Sequence, residues 1–194
     1  MEILGKILGN PARVKTMRVF LLNPKTGFNN QDIGKRCRVG YDVARKEIRL
    51  LASVNFIKKN TKGGWVFNPL FKYASPLEVL LVNSDTIEKE QIANVFKKTG
   101  RVKLLIVSGI FIKNKDTRVD LLIVGDRMRK GKVQEEVRKL EAEIGTELSY
   151  AIFETQEFIY RLNMYDKLIR DILDFPHEVV LESKELSTQV LKKT

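Results

Sequence analysis

The residues best placed to do chemistry in this chain are cations. Arg45, Lys46 and Arg49 fall on one side of a helical run together with Asp42, and Tyr41 opens that run. Lys58, Lys59 and Lys62 follow at the tip of a glycine-bearing hairpin. Groups spaced this way hold phosphates, and Arg45 and Arg49 have the reach to pair bidentately with guanine edges. Nucleophilic and metal chemistry is thinly supplied by comparison. Cys37 is the only cysteine and His177 the only histidine, so an intramolecular disulfide, a cysteine-rich zinc site and any site needing two histidines are excluded. Cys37 reads as a small buried hydrophobe, with a redox-sensing thiol as the sharper alternative. His177, after Pro176, reads as a surface or capping residue.

The net charge of +11 is concentrated at one end. Residues 1–72 hold 15 Lys/Arg against 4 Asp/Glu, and the rest of the 194-residue chain holds 20 of each. A polyanion-binding module joined to a neutral one is what that segregation implies. No apolar run approaches the roughly 20 residues that span a bilayer, and the apolar core of the N-terminus is too short for a signal peptide. The expectation is a cytoplasmic protein with no membrane partner.

The elements that position the cations follow from local signals. Residues 2–8 carry one apolar helical face, and Asn10-Pro11 starts a helix presenting Val14, Met17, Val19, Phe20 and Leu21, which stops near Asn23-Pro24. Asn29 or Asn30 caps the next helix, which buries Ile33 and runs to Cys37. Arg38-Val39-Gly40 is a tight turn, and residues 41–54 form a helix with Ala44, Ile48 and Leu51 on its inner side. Residues 56–60 and 65–67 pair as a hairpin around Gly63-Gly64, with Trp65 as its apolar anchor rather than a base-stacking residue.

Residues 10–69 resemble the winged helix-turn-helix domains of ArsR- and MarR-type regulators. The likeness rests on Ile33-Gly34-Lys35 before the turn, Val43 to Leu51 after it, and Asn55-Phe56-Ile57 entering the hairpin. Where that family often has Gly before the first wing strand, this chain has Asn55, which tolerates positive φ. The resemblance implies that the 41–54 helix enters the major groove and the hairpin holds backbone. The paired Cys or His of the metal-sensing ArsR proteins is absent. Regulators of this kind are often dimers, so a homodimer is carried as an expectation, although no long amphipathic helix marks an interface.

Residues 70–84 read as a connector with a helix from Ser75-Pro76. Ser84 or Asp85 then caps a helix through Lys98, burying Ile87, Ile92, Val95 and Phe96. Strands at 102–109, 117–126 and 147–153, an amphipathic helix at 131–144 and a single helical segment from Thr155 to Pro176 complete an α/β module, and 183–194 form a polar tail. Residues 85–182 resemble the minimal nucleotidyltransferase domain of the polymerase-beta superfamily. In that family a Gly-Ser turn follows the first strand and an Asp-x-Asp pair opens the second, both carboxylates facing one side to hold metal and nucleotide. Here Asp120 takes the second position and Arg118 the first, where a guanidinium repels Mg²⁺ and is free to pair with Asp120. The turn reads Ser108-Gly109 and runs into bulky Ile110-Phe111-Ile112. Asp116 stands roughly 13 Å from Asp120 along an extended strand, too far to substitute.

The sequence therefore predicts an α+β protein: an N-terminal winged helix-turn-helix (1–69) and a C-terminal nucleotidyltransferase-like α/β domain (85–182) with a small mixed sheet. It predicts a transcriptional regulator binding double-stranded DNA through Tyr41, Asp42, Arg45, Lys46, Arg49, Lys58, Lys59 and Lys62. The second domain would be inactive, keep Ser108, Gly109, Arg118 and Asp120 as vestiges, hold no metal or cofactor, and serve sensing or assembly. Two alternatives stay open: an active, antitoxin-like nucleotidyltransferase needing Mg²⁺ and nucleotide, and a protein-interaction module.

Overall fold

Asn10 and Pro11 start the first long helix as their chemistry dictates. The Asn10 side chain accepts a hydrogen bond from Ala12 N at 2.9 Å, and the proline sits where the missing N–H does no harm. The computed structural model describes residues 3–61, 63–82, 87–114 and 117–186. The fold is mixed α+β, with a two-stranded antiparallel sheet and a four-stranded mixed sheet. The described residues form two compact units, one drawn from Met1–Thr86 plus Arg138–Glu147 and the other from Ile87–Val137 plus the chain from Leu148.

The first unit contains α1 (Ile3–Ile7), α2 (Pro11–Leu22), α3 (Asn30–Cys37), α4 (Tyr41–Ser53), β1 (Ile57–Lys59), β2 (Trp65–Phe67) and α5 (Ala74–Leu81). Its core gathers Val14, Phe20, Ile33, Ile48 and Phe56, with Phe20 edge-on to Phe28 and Phe56 edge-on to Phe67. Fully burying a side chain of this kind contributes about 1.5–3 kcal/mol. The helix α5 starts at Ala74, before the Ser75-Pro76 start that the sequence predicts. Pro76 is tolerated because it falls in the first turn, where backbone N–H groups have no helical partner.

A fully buried Arg18 is the least expected member of this unit. Its Nε donates to Leu81 O at 2.7 Å and its Nη1 to Glu143 O at 3.0 Å, so two backbone carbonyls help to satisfy the buried guanidinium. Asn23 Nδ2 reaches Gly145 O at 3.0 Å, and Lys15 pairs with Glu143 at 2.6 Å. Gly145 has φ +98°, and a Cβ there would stand 2.7 Å from Arg18 Cβ. These contacts hold residues 138–147 in the first unit.

The second unit contains α6 (Lys89–Lys97), β3 (Arg101–Val107), β4 (Leu121–Asp126), the first half of α7 (Lys130–Ile144), β5 (Tyr150–Phe153), α8 (Thr155–Asn163), α9 (Lys167–Asp174) and β6 (Glu178–Glu182). Strand order is β5-β4-β3-β6, with β4 and β5 parallel and the other pairs antiparallel. Leu104, Ile106, Leu122, Val124, Phe158 and Ile169 form its core.

Several boundaries differ from the sequence expectation. Helix α6 begins at Lys89, and the expected caps Ser84 and Asp85 lie outside the described residues. The expected polar tail 183–194 begins packed instead: Ser183 N bonds Lys103 O at 2.7 Å and Leu186 is buried in the core, while 187–194 lie outside the described residues. Strand β3 ends at Val107 because Gly109, at φ +55°, turns the chain into a 3₁₀ turn over Gly109–Ile112. Strands β4 and β5 start late, at Leu121 and Tyr150. The segment after Thr155 is two helices, broken where Tyr165 takes φ 55° and Asp166 caps α9 by accepting from Leu168 N and Ile169 N. Burial would raise the Asp166 carboxyl, but those N–H bonds and the Arg161 guanidinium together hold it below its usual range. Strand β6, unforeseen, adds to the β3 edge.

Candidate nucleic-acid interface

Helices α3 and α4 are joined by Arg38-Val39-Gly40, as the sequence predicts. Arg38 takes φ 54° at the end of α3, and its N–H returns to Gly34 O and Lys35 O. Asn29 caps α3 and forms a reciprocal capping box with Asp32. Gly34 lies at a close approach: a Cβ there would stand a tight 3.2 Å from Val39 O. The inner face of α4 buries Ala44, Ile48 and Leu51 as expected, and also Glu47. The Glu47 carboxylate accepts from Arg13 Nε at 2.9 Å and Asn10 Nδ2 at 2.6 Å, which ties α4 to the start of α2.

The opposite face of α4 is left free. Tyr41, Asp42, Arg45, Lys46 and Arg49 are all exposed, and among the described residues the three cations have no carboxylate partner. Tyr41 is positioned by Asn30 Nδ2, 3.4 Å from its hydroxyl oxygen. Val43 and Leu50 are exposed on the same side, about 20° apart on the helical wheel. They supply apolar contact beside the cations, of the kind that suits thymine methyls. The wheel places them there, but their residue types hid the signal.

The hairpin follows Asn55, which adopts φ 60° as the sequence predicts. Ile57 pairs with Phe67, Lys58 with Val66 and Lys59 with Trp65. Trp65 also exchanges two 2.8 Å backbone hydrogen bonds with Phe28, ahead of α3, and packs on the core, so it anchors the hairpin. Gly64 makes this bridge possible: at φ +78° a Cβ would meet Phe28 O at 3.0 Å. Lys58 and Lys59 are exposed, and the Lys59 ammonium lies 5.2 Å from the Trp65 ring centre. Lys62 lies outside the described residues. An open cleft of about 390 Å³ separates the hairpin from the start of α3, lined by Asn30, Gln31, Tyr41, Lys59 and Trp65. Beside the end of α3, Lys35, Arg36, Arg38 and Arg138 border a second cleft of about 490 Å³. Sequence reading passed over Lys35 and Arg38, which are exposed there.

The constellation around Asp120 has a different wiring from the one expected. Arg118 does not pair with Asp120; its Nε lies 2.8 Å from Asp171 Oδ2 on α9. Asp120 instead accepts from Ile110 N at 3.0 Å and Ser149 N at 2.9 Å. Ser108 donates its hydroxyl to Val119 O, and Ser108 N bonds Asp120 O at 2.9 Å. A Cβ on Gly109 would overlap Asp120 Oδ1, so the turn is wrapped directly around the carboxylate. Asp116 lies outside the described residues. Among the described residues no three His, Cys, Asp or Glu side chains gather as a metal group, and no helix is long and apolar enough to cross a membrane.

Cys37 is fully buried, and burial pushes its thiol up to about 11 against the lowering effect of the Thr16 hydroxyl. The thiolate needed for redox sensing is thereby disfavoured. His177 Nδ1 lies 2.9 Å from Phe175 O, in a turn. No family model, no curated protein and no solved structure matches the chain.

Proposed function

We propose that the chain is a sequence-specific, double-stranded-DNA-binding transcriptional regulator, acting in the cytoplasm. Residues 10–69 would form a winged helix-turn-helix with α4 as its recognition helix and the β1–β2 hairpin as its wing. The observation that carries this reading is the exposed face of α4. Arg45, Lys46 and Arg49 stand there without carboxylate partners, flanked by Val43 and Leu50, while a buried Glu47 fixes the other face. A rigidly seated helix that offers guanidinium and small apolar groups together is suited to reading base edges in a major groove.

In the same reading the second unit is a nucleotidyltransferase-like domain that does no catalysis. Supporting this, both oxygens of Asp120 are engaged by backbone N–H groups, and Arg118 occupies the place of the partner carboxylate. The test is selection from a random duplex pool. The wild type should enrich a defined motif, and Arg45→Glu/Arg49→Glu should enrich none. Equal enrichment by both proteins would sink the reading.

A further inference from the structure

The second unit carries 18 Lys/Arg against 15 Asp/Glu, a small excess, but its charges are not evenly spread. Lys97 and Lys98 end α6, and Arg101 opens β3. The antiparallel register sets Arg101 opposite Asp126, so the chain leaving β4 returns beside them and brings Arg127, Arg129, Lys130 and Lys132. The two basic segments are fastened together. Arg129 N bonds Thr99 O at 3.0 Å, and Arg129 Nη2 donates to Lys98 O at 2.9 Å. Gly100 allows this approach, since a Cβ there would meet Arg127 O at 2.9 Å. An open cleft of about 640 Å³ runs between the segments.

All seven cations are exposed, and none has a carboxylate partner among the described residues. The contrast with the rest of the unit is sharp. Lys103, one strand residue pair inward, is held by Asp126 at 2.9 Å and Glu185 at 2.7 Å. Arg118, Arg161 and Arg170 each have an acidic partner. Lys130 and Lys132 also open α7, whose first turn holds no acid, although helix stability favours acids there. A solubilising surface has no need to crowd like charges against the dipole of a helix.

We propose that this end of the second unit is a sequence-independent binding surface for the phosphodiester backbone of a nucleic acid. It lies at the opposite end of β3 and β4 from Ser108 and Asp120, so it owes nothing to the vestigial site. Three of the seven groups are guanidinium, which binds phosphate bidentately. A lipid surface is the poorer fit. A membrane-binding face presents exposed apolar side chains beside its cations, and no large hydrophobic in 97–103 or 126–132 is exposed. The absence of exposed aromatic rings from those two stretches likewise points to backbone contact without base stacking.

The experiment measures binding of the full chain to labelled random-sequence DNA duplex, RNA duplex and phosphatidylserine vesicles between 50 and 300 mM KCl. The patch variant is Arg127→Glu/Arg129→Glu/Lys130→Glu, the control is Lys167→Glu, and circular dichroism checks folding of each. The patch variant should lose about tenfold or more of its affinity for nucleic acid at 100 mM salt, and its salt slope should fall by about 0.9 for each phosphate contact removed. Comparing the two duplexes assigns the source of the phosphodiester. In an Arg45→Glu/Arg49→Glu background, residual salt-steep binding should persist and vanish when the patch is also reversed. Unchanged slopes, an equal loss in the control, or an effect confined to vesicles would each overturn the proposal. Loss on patch reversal with no effect from Arg45 and Arg49 would leave this surface standing and defeat the reading of α4.

Discussion

Arg13 and Glu47 form an ion pair at 2.9 Å in which the carboxylate is sealed from solvent and the guanidinium is about one-third exposed. The pair lies on the inner side of α4, behind the face that carries Arg45 and Arg49. Nothing about Glu47 concerns a ligand directly, yet it determines how firmly that face is held.

Removing the two partners is therefore not symmetrical. Arg13→Ala leaves a buried charge with only Asn10 beside it and should cost about 3–5 kcal/mol. Glu47→Ala leaves a cation that still meets water and should cost about 2 kcal/mol. The double variant should be less destabilised than the sum. Urea unfolding of all four proteins gives the coupling, and strict additivity would show the pair to be inert.

Asp120 is expected to behave as a structural residue. Asp120→Ala strands the N–H groups of Ile110 and Ser149 and should lower stability by about 2–4 kcal/mol. Arg118→Ala leaves the buried Asp171 Oδ2 without its cation and should lower stability by about 1–3 kcal/mol. Calorimetric titration with ATP and Mg²⁺ should give no heat with wild type or either variant. Saturable Mg²⁺-dependent heat that disappears in Asp120→Ala would restore the active-enzyme reading.

The hairpin lysines should contribute affinity without selectivity. Lys58→Gln/Lys59→Gln is expected to weaken binding of preferred and scrambled duplexes by the same factor. The slope of log K against log salt should fall by about 1.8, two contacts' worth of released counterions. A change in base preference instead would show that the hairpin reads sequence.

Cys37 gives a pH dependence with a definite sign. Its folded thiol lies near 11, above the ordinary 9.0, so the native state favours the protonated form. The associated stability is fully present below pH 9 and is lost as pH rises toward 11, by about 1.4 kcal/mol at pH 10. The stability difference between wild type and Cys37→Ala should therefore be flat up to pH 8.5 and shrink above it. In the native protein a thiol reagent should modify Cys37 only as fast as the fold opens.

The helices of the first unit were legible because their ends carry chemistry: Asn10-Pro11, Asn29 with Asp32, and Gly40 each mark a boundary by side chain or conformation. The inner face of α4 follows from the spacing of Ala44, Ile48 and Leu51, whereas α2 is buried on nearly every side and has no single apolar stripe to read. Arg18 and Glu47 were not legible, since their residue types suggest solvent and only tertiary partners reveal burial. Strand β6 was missed because its run is short and follows Pro176. The break at Tyr165 is invisible in a sequence whose apolar spacing continues on both sides. Partner choice at Arg118 depended on α9, which no local pattern connects to it. The cations at 97–101 and 127–132 were visible individually, but the β3–β4 pairing that joins them was needed to make them a surface.

Helix α7 is one continuous piece of secondary structure whose first half belongs to one compact unit and whose second half belongs to the other. Neither unit is therefore a contiguous stretch of the gene. A protein cut after residue 86 would lack the Glu143 and Gly145 carbonyls to which the buried Arg18 and Asn23 donate. The same holds for a swap of the second module for another: the donor would have to bring a helix ending in the same pair of carbonyls. The two halves can be separated on paper at a linker, but recombination at that linker would yield two broken proteins.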